Sequence, residues 1–485
     1  MSRRGRSVYA GAMEHPMWIG GAPVRSASRQ PVELPYDGST VGEIFRGTKE
    51  HVDAAVQAAS AAFPTMREMS REDRSAILRR AHQKLRDSLE TFARLISAES
   101  GKPIKEARME ADRASWTLLF SSEEAHRMAG EVVPLDAHPG GRGRWGMTVR
   151  EPLGVIAAIT PFNFPLNLAM HKIGPALAAG NTLVHKPATT TPLSALALVQ
   201  LFEECGLPKG ALNVVTGSGS EIGDALVFHP GLAMVTFTGS PEVGIRMRNL
   251  AGMKRVTLEL GSNSAVMIEP DADLNAAVPR CVTGAFAHSG QVCISVQRIL
   301  VHESVRREFT DRFLAATGKL VMGHPSEPTT DISSLISIPE AERVESWITE
   351  ASHAGARLLA GGTRMRASIT PTVLDDVPES VQISCREVFG PVVAINAYKT
   401  LDDAIDRVNR SDYGLQAGIY TRDLEKAFAA ARRTHVGGFM INEVPQYRVD
   451  NMPYGGVKMS GTGREGPRYA IEEMTEPKLI TWNVT

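Results

Sequence analysis

Short apolar runs alternate along most of the chain with stretches in which apolar residues recur at helical spacing. The clearest runs have the length of buried strands and lie at residues 154–161, 181–188, 211–217, 232–240 and 255–260. Each is separated from the next by a helical stretch. Strands that alternate with helices form parallel sheets with helices on both faces. The pattern therefore predicts a doubly wound, Rossmann-type unit over this part of the chain.

The flanking segments predict further elements. Residues 50–128 show helical spacing that indicates three amphipathic helices, with Gly-Lys-Pro punctuation at 101–103. Residues 262–450 repeat the alternation of strands and helices and predict a second α/β unit. The segments at 131–137 and 143–152, joined by HPGGR, predict a hairpin. The C-terminal run KLITWNVT is expected to pair with this hairpin or with another subunit.

Length and composition narrow the class of protein. A chain of 485 residues is too long to form one compact core. A composition of 43% hydrophobic and 22% charged residues is typical of a globular enzyme. The formal charge of -1 gives no attraction to nucleic acid or to an anionic membrane. No apolar run reaches the roughly 18 residues of a membrane span, and the basic N-terminus lacks an apolar core, so we expect a loose N-terminal tail and a cytoplasmic protein.

The cysteines supply the first candidate chemistry. The four cysteines are far apart and form neither a CxxC pair nor a cluster with His residues. We therefore expect reduced thiols and no metal site. Cys293 differs from the others because Glu259 lies 34 positions upstream. A thiol can capture a carbonyl carbon, and a carboxylate can activate the water that releases the acyl group. His288 offers a hydrolase-like Cys-His pair instead, although no other hydrolase signature accompanies it.

Two glycine-containing turns are candidate phosphate sites. GSGSEIG at 217–223 and FTGSPEVG at 237–244 each follow a predicted strand and open a helix, whose N-terminus attracts anions. In the first turn Gly223 comes one residue late for GxGxxG, so a plain glycine-rich turn is an equal alternative. In the second, Ser240 occupies an N-cap position, which by itself is more often structural.

Seven motifs in one order make the chain from Met17 onward resemble the aldehyde dehydrogenase superfamily: ITPFNFPLN, LVHKPA, FTGSPEVG, LELG, GQVC, EVFGPV and PYGGVKMSG. It looks most similar to the branch of lactaldehyde and phosphonoacetaldehyde dehydrogenase-like enzymes. The resemblance implies a Rossmann-type coenzyme domain at 17–130 and 153–260 and an α/β catalytic domain at 261–469. It also implies oligomerisation strands at 131–152 and 470–485, after an N-terminal tail at 1–16.

The resemblance also implies catalytic roles. Cys293 matches the nucleophile, and Asn163 matches the amide that holds the oxyanion together with the backbone N–H of Cys293. Glu259 matches the base that activates water, and Glu465 matches a proton-relay glutamate. Because members that pass the acyl group to coenzyme A typically lack that base, Glu259 favours a free acid as product. A coenzyme A-acylating enzyme and a non-catalytic relative are the alternatives.

For the coenzyme, Lys186 matches a lysine at the adenine ribose, Glu387 a carboxylate at the nicotinamide ribose and Ser240 a pyrophosphate contact. Thr189 stands where NAD-preferring members place a glutamate, so either NAD or NADP is expected, without a metal. The remaining positions that match the coenzyme site are Thr160, Pro161, Phe162, Ala188, Gly219, Gly223, Phe237, Thr238, Gly239, Val243, Leu260, Gly261 and Phe389.

Departures from the family pattern concern the substrate. Cation-capable groups replace the aromatic or apolar residues that are frequent along the tunnel, which suggests a small polar or anionic aldehyde. Val292 stands where members acting on phosphorylated or phosphonylated aldehydes often have arginine. A lactaldehyde-like substrate is favoured, with phosphonoaldehydes, sulfoaldehydes and succinate semialdehyde as alternatives, in a homodimer or homotetramer without nucleic-acid or membrane partners. The predicted substrate residues are His171, Arg448, Arg108, Arg113 and Tyr454.

Overall fold

The computed structural model describes residues 13–484, and its largest sheet has eight strands. The five central strands are parallel and mostly buried, as expected for a sheet covered on both faces. Their order confirms the predicted doubly wound unit and places a switch point between Val155–Ile159 and Met234–Thr238. In sheet order the strands are Gly461–Thr462, Arg255–Glu259, Met234–Thr238, Val155–Ile159, Thr182–Lys186, Leu212–Val214, Met17–Ile19 and Ala22–Val24.

The helices of this unit surround the sheet. Helix Asn167–Ala179 is buried at every position, because it lies between the sheet and the long helix Ile104–Arg127. It therefore carries its polar side chains into the protein interior, where each needs a partner. The other helices of the unit are Leu193–Glu204, Asp224–Phe228, Pro241–Leu250 and, near the C-terminus, Pro467–Glu473, with a single wide helical turn at Gly219–Gly223.

The N-terminal region has four helices where the sequence pattern predicted three: Lys49–Glu68, Arg71–Asp87, Leu89–Ser100 and Ile104–Arg127. Two boundaries precede Gly101 where the prediction allowed one. At the first, the hydroxyl of Ser70 accepts the backbone N–H of Asp73 at 3.0 Å, and at the second, Ser88 ends one helix and begins the next. The predicted Gly-Lys-Pro boundary is present: Gly101 has a left-handed φ of 71° and ends one helix, and Pro103 begins the next.

The second α/β unit is built on a seven-stranded sheet, as the repeated alternation predicted. Its strands are Arg357–Ala360, Thr372–Asp375, Val392–Tyr398, Arg298–His302, Ala265–Ile268, Gln416–Tyr420 and Gly438–Ile441, and all but the first run parallel. Its helices are Leu274–Phe286, Arg306–Thr317, Ile338–His353, Gln382–Cys385, Leu401–Asn409 and Leu424–Arg433. A short hairpin joins Arg364–Met365 to Ser368–Ile369, and Tyr413–Gly414 pairs antiparallel with the distant strand Val457–Lys458.

The predicted hairpin is also present. Val132–Val133 pairs antiparallel with Arg144–Pro152, and the connecting residues form 3-10 turns at Leu135–Ala137 and Pro139–Gly141. The C-terminal strand Thr475–Asn483 pairs with Arg144–Pro152 of the same chain, which confirms the first of the two partners expected for it. The result is a three-stranded sheet with Thr475–Asn483 at its edge.

Part of the segment predicted as an N-terminal tail is a strand. Glu14–His15, inside the segment 1–16, forms a strand beside Thr40–Phe45, which also pairs with Arg29–Glu33. Residues 1–12 lie outside the described part of the chain. Between residues 13 and 484, no helix combines the length and the apolar character needed to cross a membrane.

Candidate active site

The switch point of the large sheet opens into a cavity. The loops that follow the neighbouring strands Val155–Ile159 and Met234–Thr238 diverge there, which is where doubly wound folds bind ligands. A cavity of about 540 Å³ lies at this edge, and Asn163, Glu259 and Cys293 all line it. It also brings together about half of the predicted coenzyme residues: Pro161, Phe162, Thr238, Gly239, Ser240, Leu260, Gly261, Glu387 and Phe389.

The loop before Cys293 is held by an unusual backbone. His288, Ser289 and Gly290 adopt φ values of 48°, 55° and 74°, three successive left-handed residues. At Gly290 a Cβ would lie 2.0 Å from the carbonyl oxygen of Gly390, so only glycine fits. The carbonyl of His288 accepts the side-chain amide of Gln291 at 3.2 Å. Such a loop fixes the position of the residues that follow it, including Cys293.

The thiol of Cys293 and the side-chain amide of Asn163 both lie next to this loop. Cys293 Sγ is 2.8 Å from the phenol oxygen of Tyr454, and burial raises the pKa of the thiol to about 12. Asn163 Nδ2 donates to the carbonyl of Gln291 at 2.8 Å, two residues before the cysteine. An amide nitrogen carries two protons, so Asn163 keeps a second donor for an oxygen at the cavity.

His288 does not pair with the thiol. Both of its ring nitrogens are buried without a partner among residues 13–484, and its ring lies edge-on to Phe164 with 6.2 Å between centroids. Burial, and then the charge of Lys102, lower the pKa of His288 well below its usual value. A neutral imidazole in this position does not form the Cys-His pair of a hydrolase, so that alternative loses its support.

Two carboxyl groups near the cavity have opposite electrostatic environments. Lys172 Nζ and Arg448 Nη2 donate to the two oxygens of Glu465 at 3.0 and 2.9 Å. Although burial opposes ionisation, Lys172 and Arg448 lower the pKa of Glu465 to about 2. Burial, and then the charge of Glu465, raise the pKa of Glu259 well above its usual range. At neutral pH Glu465 is therefore the ionised member of this pair, and its charge disfavours the ionisation of Glu259.

Asp450 organises a second buried cluster. Arg113 binds it through Nε and Nη2 at 3.1 and 2.8 Å, and Asn167 Nδ2 and His171 Nε2 each lie 3.0 Å from Oδ1. Burial opposes the charge, but His171 and Arg113 lower the pKa of Asp450 below its usual range. Burial and then Arg448 lower the pKa of His171, so its ring is neutral and donates from Nε2. Its Nδ1 then has no partner within residues 13–484.

The structure places the predicted substrate residues in different environments, some buried and one on the surface. Arg448 lies with its guanidinium carbon 3.6 Å from the centre of the Tyr454 ring, and its Nε is buried without a partner in the described chain. Arg113 is held by Asp450. Arg108 lies instead on an exposed helix face, where it forms a two-bond ion pair with Glu90. None of the five predicted substrate residues is on the wall of the cavity that Cys293 lines.

The predicted coenzyme residues around the sheet edge form two groups. Near the thiol, Glu387 Oε1 accepts the N–H of Ser262 at 3.0 Å, and burial raises the pKa of Glu387 to about 8. The rings of Phe162 and Phe389 meet edge to face with 5.7 Å between centroids. Ser240 is the N-cap of helix Pro241–Leu250, as its position predicted, and accepts from the N–H of Val243 at 3.4 Å.

The second group lies beside strand Thr182–Lys186. Burial lowers the pKa of Lys186 to about 8, and its Nζ donates to the carbonyl of Pro187 at 3.1 Å. A Cβ at Gly223 would meet the Lys186 side chain at 4.0 Å, and one at Gly219 would meet nothing within 4 Å. Thr189 donates to the carbonyl of Gly217 at 2.9 Å.

Most of the remaining predicted coenzyme residues make contacts inside the protein, next to these two groups. Thr160 Oγ1 lies 2.9 Å from His185 Nε2, and the ring of Phe237 fills the space where a Cβ of Gly239 would stand. The carbonyl of Ala188 accepts a turn hydrogen bond from Thr191. None of these three contacts is directed into the cavity.

Sequence reasoning missed Lys172, Asp450 and Asn167. All three are buried and belong to the charge network beside the cavity. Lys172 and Asp450 stand next to or near predicted residues, and a count of opposite charges around His171 and Arg448 would have singled them out. Within residues 13–484, no group of three or more His, Cys, Asp or Glu side chains is arranged to hold a metal ion.

The chain is similar to known aldehyde dehydrogenases over nearly its whole length. It is 47% identical over 471 residues to the 3-sulfolactaldehyde dehydrogenase of Priestia aryabhattai, covering 97% of this chain and 98% of that protein. It is 39% identical to the lactaldehyde dehydrogenase of Methanococcus aeolicus, with 94% and 98% covered. These names agree with the branch predicted from the motifs.

A solved structure confirms the fold. The NADP-dependent glyceraldehyde-3-phosphate dehydrogenase of Bacillus halodurans, crystallised with NADP, matches with a TM-score of 0.95 and 36% identity over 98% of this chain and all of that chain. The model of the aldehyde dehydrogenase family also matches residues 23–480. With a family match over nearly its whole length and relatives of this similarity, the chain belongs to the aldehyde dehydrogenase family.

Proposed function

We propose that this aldehyde dehydrogenase oxidises a small polar or anionic aldehyde to the free carboxylic acid, with NAD or NADP as coenzyme. One observation carries the proposal. The cavity at the switch point has Cys293, Asn163 and Glu259 on the same walls as Ser240 and Glu387. A nucleophile, an amide donor, a carboxyl base and two candidate coenzyme contacts therefore share one space, as the oxidation of an aldehyde through a thioester requires.

The cavity walls fit a dinucleotide. The N-terminus of helix Pro241–Leu250, capped by Ser240, offers backbone N–H groups to a pyrophosphate. The amino group of Lys186 and the carboxyl group of Glu387 are both buried, and each suits hydrogen bonds to the hydroxyls of a ribose. Thr189 has no charge to repel a 2'-phosphate, which supports the acceptance of NADP as well as NAD. When bound, the nicotinamide supplies the acceptor for the hydride.

The chain's own residues then account for the other steps. The Cys293 thiolate forms a bond to the carbonyl carbon, and the electron pair of the C=O bond moves to the oxygen, where the free N–H of Asn163 stabilises it. After loss of the hydride, the acyl group remains on sulfur as a thioester. Ionised Glu259 takes a proton from water as the water oxygen attacks, and departure of the thiolate leaves the acid.

The charges beside the cavity favour an anionic substrate. Three buried or half-buried cations, Arg113, Lys172 and Arg448, are balanced by two ionised carboxylates, Asp450 and Glu465. While Glu259 is protonated one positive charge of this group is left over, and a substrate carboxylate or sulfonate would neutralise it. An uncompensated charge in a site of low dielectric attracts an opposite charge more strongly than it would in water.

Two unpaired atoms refine the substrate class. Arg448 Nε is a buried donor and His171 Nδ1 a buried acceptor, and neither has a partner in the described chain. The first suits an anionic oxygen and the second a hydroxyl hydrogen. Neither residue is on the wall of the cavity that Cys293 lines, so a short hydroxyaldehyde bearing one negative charge is supported by the charge balance and by the likeness to the relative named for 3-sulfolactaldehyde. Val292, which is buried and apolar, offers no second cation for a phosphonate dianion.

Replacement of Arg448 by methionine tests the anion preference. We expect Arg448→Met to lower kcat/KM for an anionic aldehyde such as succinate semialdehyde about tenfold more than for propanal, because the change removes the excess positive charge. Arg94→Met is the matched control, since Arg94 pairs with Glu90 on the surface. Steady-state kinetics with both aldehydes measure the effect. Equal losses for the two substrates would refute the role of Arg448 as an anion contact.

A kinetic panel tests the substrate class as a whole. Sulfonated, carboxylated, phosphonylated, hydroxylated and purely apolar short aldehydes are each supplied with NAD and with NADP. The proposal predicts the highest kcat/KM for singly charged hydroxyaldehydes with either coenzyme. A preference for apolar aldehydes would contradict the substrate proposal and leave the class of reaction standing.

We also propose that the chain forms a homo-oligomer through its three-stranded sheet. This sheet exposes several large apolar side chains, which is unusual for a free surface: Val132, Trp145, Met147, Leu479, Ile480 and Trp482. The edge strand Thr475–Asn483 is exposed along eight of its nine residues. A second copy of the chain would bury this face.

Charged residues on that face should prevent assembly. The double variant Leu479→Glu, Trp482→Glu is expected to sediment as a monomer, whereas the wild-type chain sediments as a dimer or tetramer. Phe428→Glu, a change at an exposed apolar residue on helix Leu424–Arg433, is the control and should leave the assembly intact. Analytical ultracentrifugation gives the mass. An unchanged oligomer in the double variant would place the interface elsewhere.

A further inference from the structure

The only hydrogen-bond partner of the Cys293 thiol within residues 13–484 is the phenol of Tyr454, at 2.8 Å. Tyr454 is 2% exposed. Its backbone is fixed by two hydrogen bonds, in which Tyr454 N donates to Glu465 O at 3.0 Å and Glu465 N donates to Tyr454 O at 2.7 Å. The phenol oxygen is therefore held against the sulfur by a buried ring on a rigid backbone.

The phenol is the donor in this pair once the sulfur is ionised. Burial, and then the neighbouring Cys293, raise the pKa of Tyr454 well above its usual value, so the hydroxyl keeps its proton. A thiolate has no proton and accepts. Hydrogen bonds to a charged partner are stronger than those between neutral groups, so the contact favours the thiolate over the thiol.

Arg448 strengthens this donor. Its guanidinium carbon lies 3.6 Å from the centre of the Tyr454 ring, and the side chain is 6% exposed. A cation over the face of an aromatic ring draws electron density from it, which makes the phenol O–H a better donor. The ion pair with Glu465 fixes the guanidinium in this place.

We propose that Tyr454, stacked under Arg448, is a catalytic residue that donates a hydrogen bond to the Cys293 thiolate and so sets how much of the nucleophile is ionised before an aldehyde binds. The inference rests on the proposed function in taking Cys293 as the nucleophile. Ionisation breaks the S–H bond, leaves the electron pair on sulfur and passes the proton to water in the cavity that Cys293 lines.

The other groups around the sulfur fix the direction of the expected effect. Burial raises the pKa of Cys293 most, the Tyr454 hydrogen bond lowers it, Glu387 raises it, Arg448 lowers it and Glu259 raises it. Removing the phenol hydroxyl therefore leaves burial and two carboxyl groups opposed by Arg448 alone. The pKa of the thiol must rise, and the thiolate fraction at a given pH must fall.

The test is the rate at which iodoacetamide alkylates Cys293 as a function of pH, without aldehyde or coenzyme. A Cys385→Ser background removes the exposed thiol. Tyr454→Phe keeps the ring under Arg448 and is expected to react about tenfold more slowly at pH 8, with its profile moved to higher pH. Tyr420→Phe removes a buried phenol hydroxyl that has no partner in the described chain, and it should react like the background protein.

An unchanged pH profile in Tyr454→Phe would overturn the proposal. If that variant does not fold, Arg448→Met decides the matter, because it leaves the phenol in place and is expected to shift the profile in the same direction by a smaller amount. An unshifted profile in Arg448→Met would then overturn it. Because the assay does not use aldehyde oxidation, its failure is distinguishable from failure of the proposed function, which would show as turnover without Cys293.

Discussion

Cys293→Ala is expected to lower kcat by at least about a thousandfold while NAD(P) still binds with wild-type affinity. The sulfur forms the bond to the substrate carbon, and no other side chain on the cavity walls is a comparable nucleophile. The sulfur makes a single described hydrogen bond, to Tyr454, so its loss should leave the fold and the coenzyme walls intact.

Two measurements on the same preparation check this result. Steady-state kinetics give kcat, and titration calorimetry gives the affinity for the coenzyme. Cys385→Ala is the matched control, since that thiol is exposed and lies outside the catalytic cavity. Substantial turnover by Cys293→Ala would show that the nucleophile is another group.

Glu259→Gln is expected to separate the two halves of the reaction. Acylation should still occur, giving a burst of about one reduced coenzyme per subunit, and later turnovers should be at least about a hundredfold slower, because general-base catalysis of hydrolysis is lost. Glutamine preserves the size of the side chain but cannot take a proton from water. Mass spectrometry of the acid-quenched variant should find the acyl group on Cys293.

The pH dependence of the wild-type enzyme gives an independent check. Since burial and Glu465 raise the pKa of Glu259 well above its usual range, the ionised fraction of this base grows with pH over a higher range than that of an ordinary glutamate. Thioester hydrolysis should therefore accelerate with pH in the wild type and lose this dependence in Glu259→Gln. A variant with no burst and unchanged kcat would assign the base to another residue.

The alternation of apolar runs predicted both large sheets, because buried parallel strands need apolar side chains on both faces and so leave a continuous signal. The helix boundaries were harder to predict. Between residues 50 and 100 the chain has two helix boundaries, at Ser70 and at Ser88, where the pattern predicted one. Ser88 both ends helix Arg71–Asp87 and begins helix Leu89–Ser100, and a boundary of one residue hardly changes a periodic pattern.

The motifs predicted about half of the residues that line the cavity, including Cys293, Asn163 and Glu259, but not the partners that set their charges. His171 and Asp450 are 279 positions apart, and Arg113 and Asp450 are 337 apart, so their pairing depends on how whole units pack. The same limit explains Arg108. It lies on the same helix as Arg113, yet it faces Glu90 on the surface, and helical spacing alone did not separate the two.

The central claim is that the chain turns an aldehyde into a free acid without coenzyme A. The most direct measurement supplies an anionic short hydroxyaldehyde and NAD or NADP, with coenzyme A absent, and quantifies reduced coenzyme and carboxylic acid together. The account predicts one acid for each reduced coenzyme over many turnovers. Reduction that stops at one equivalent per subunit, or that continues only when coenzyme A is added, would contradict it.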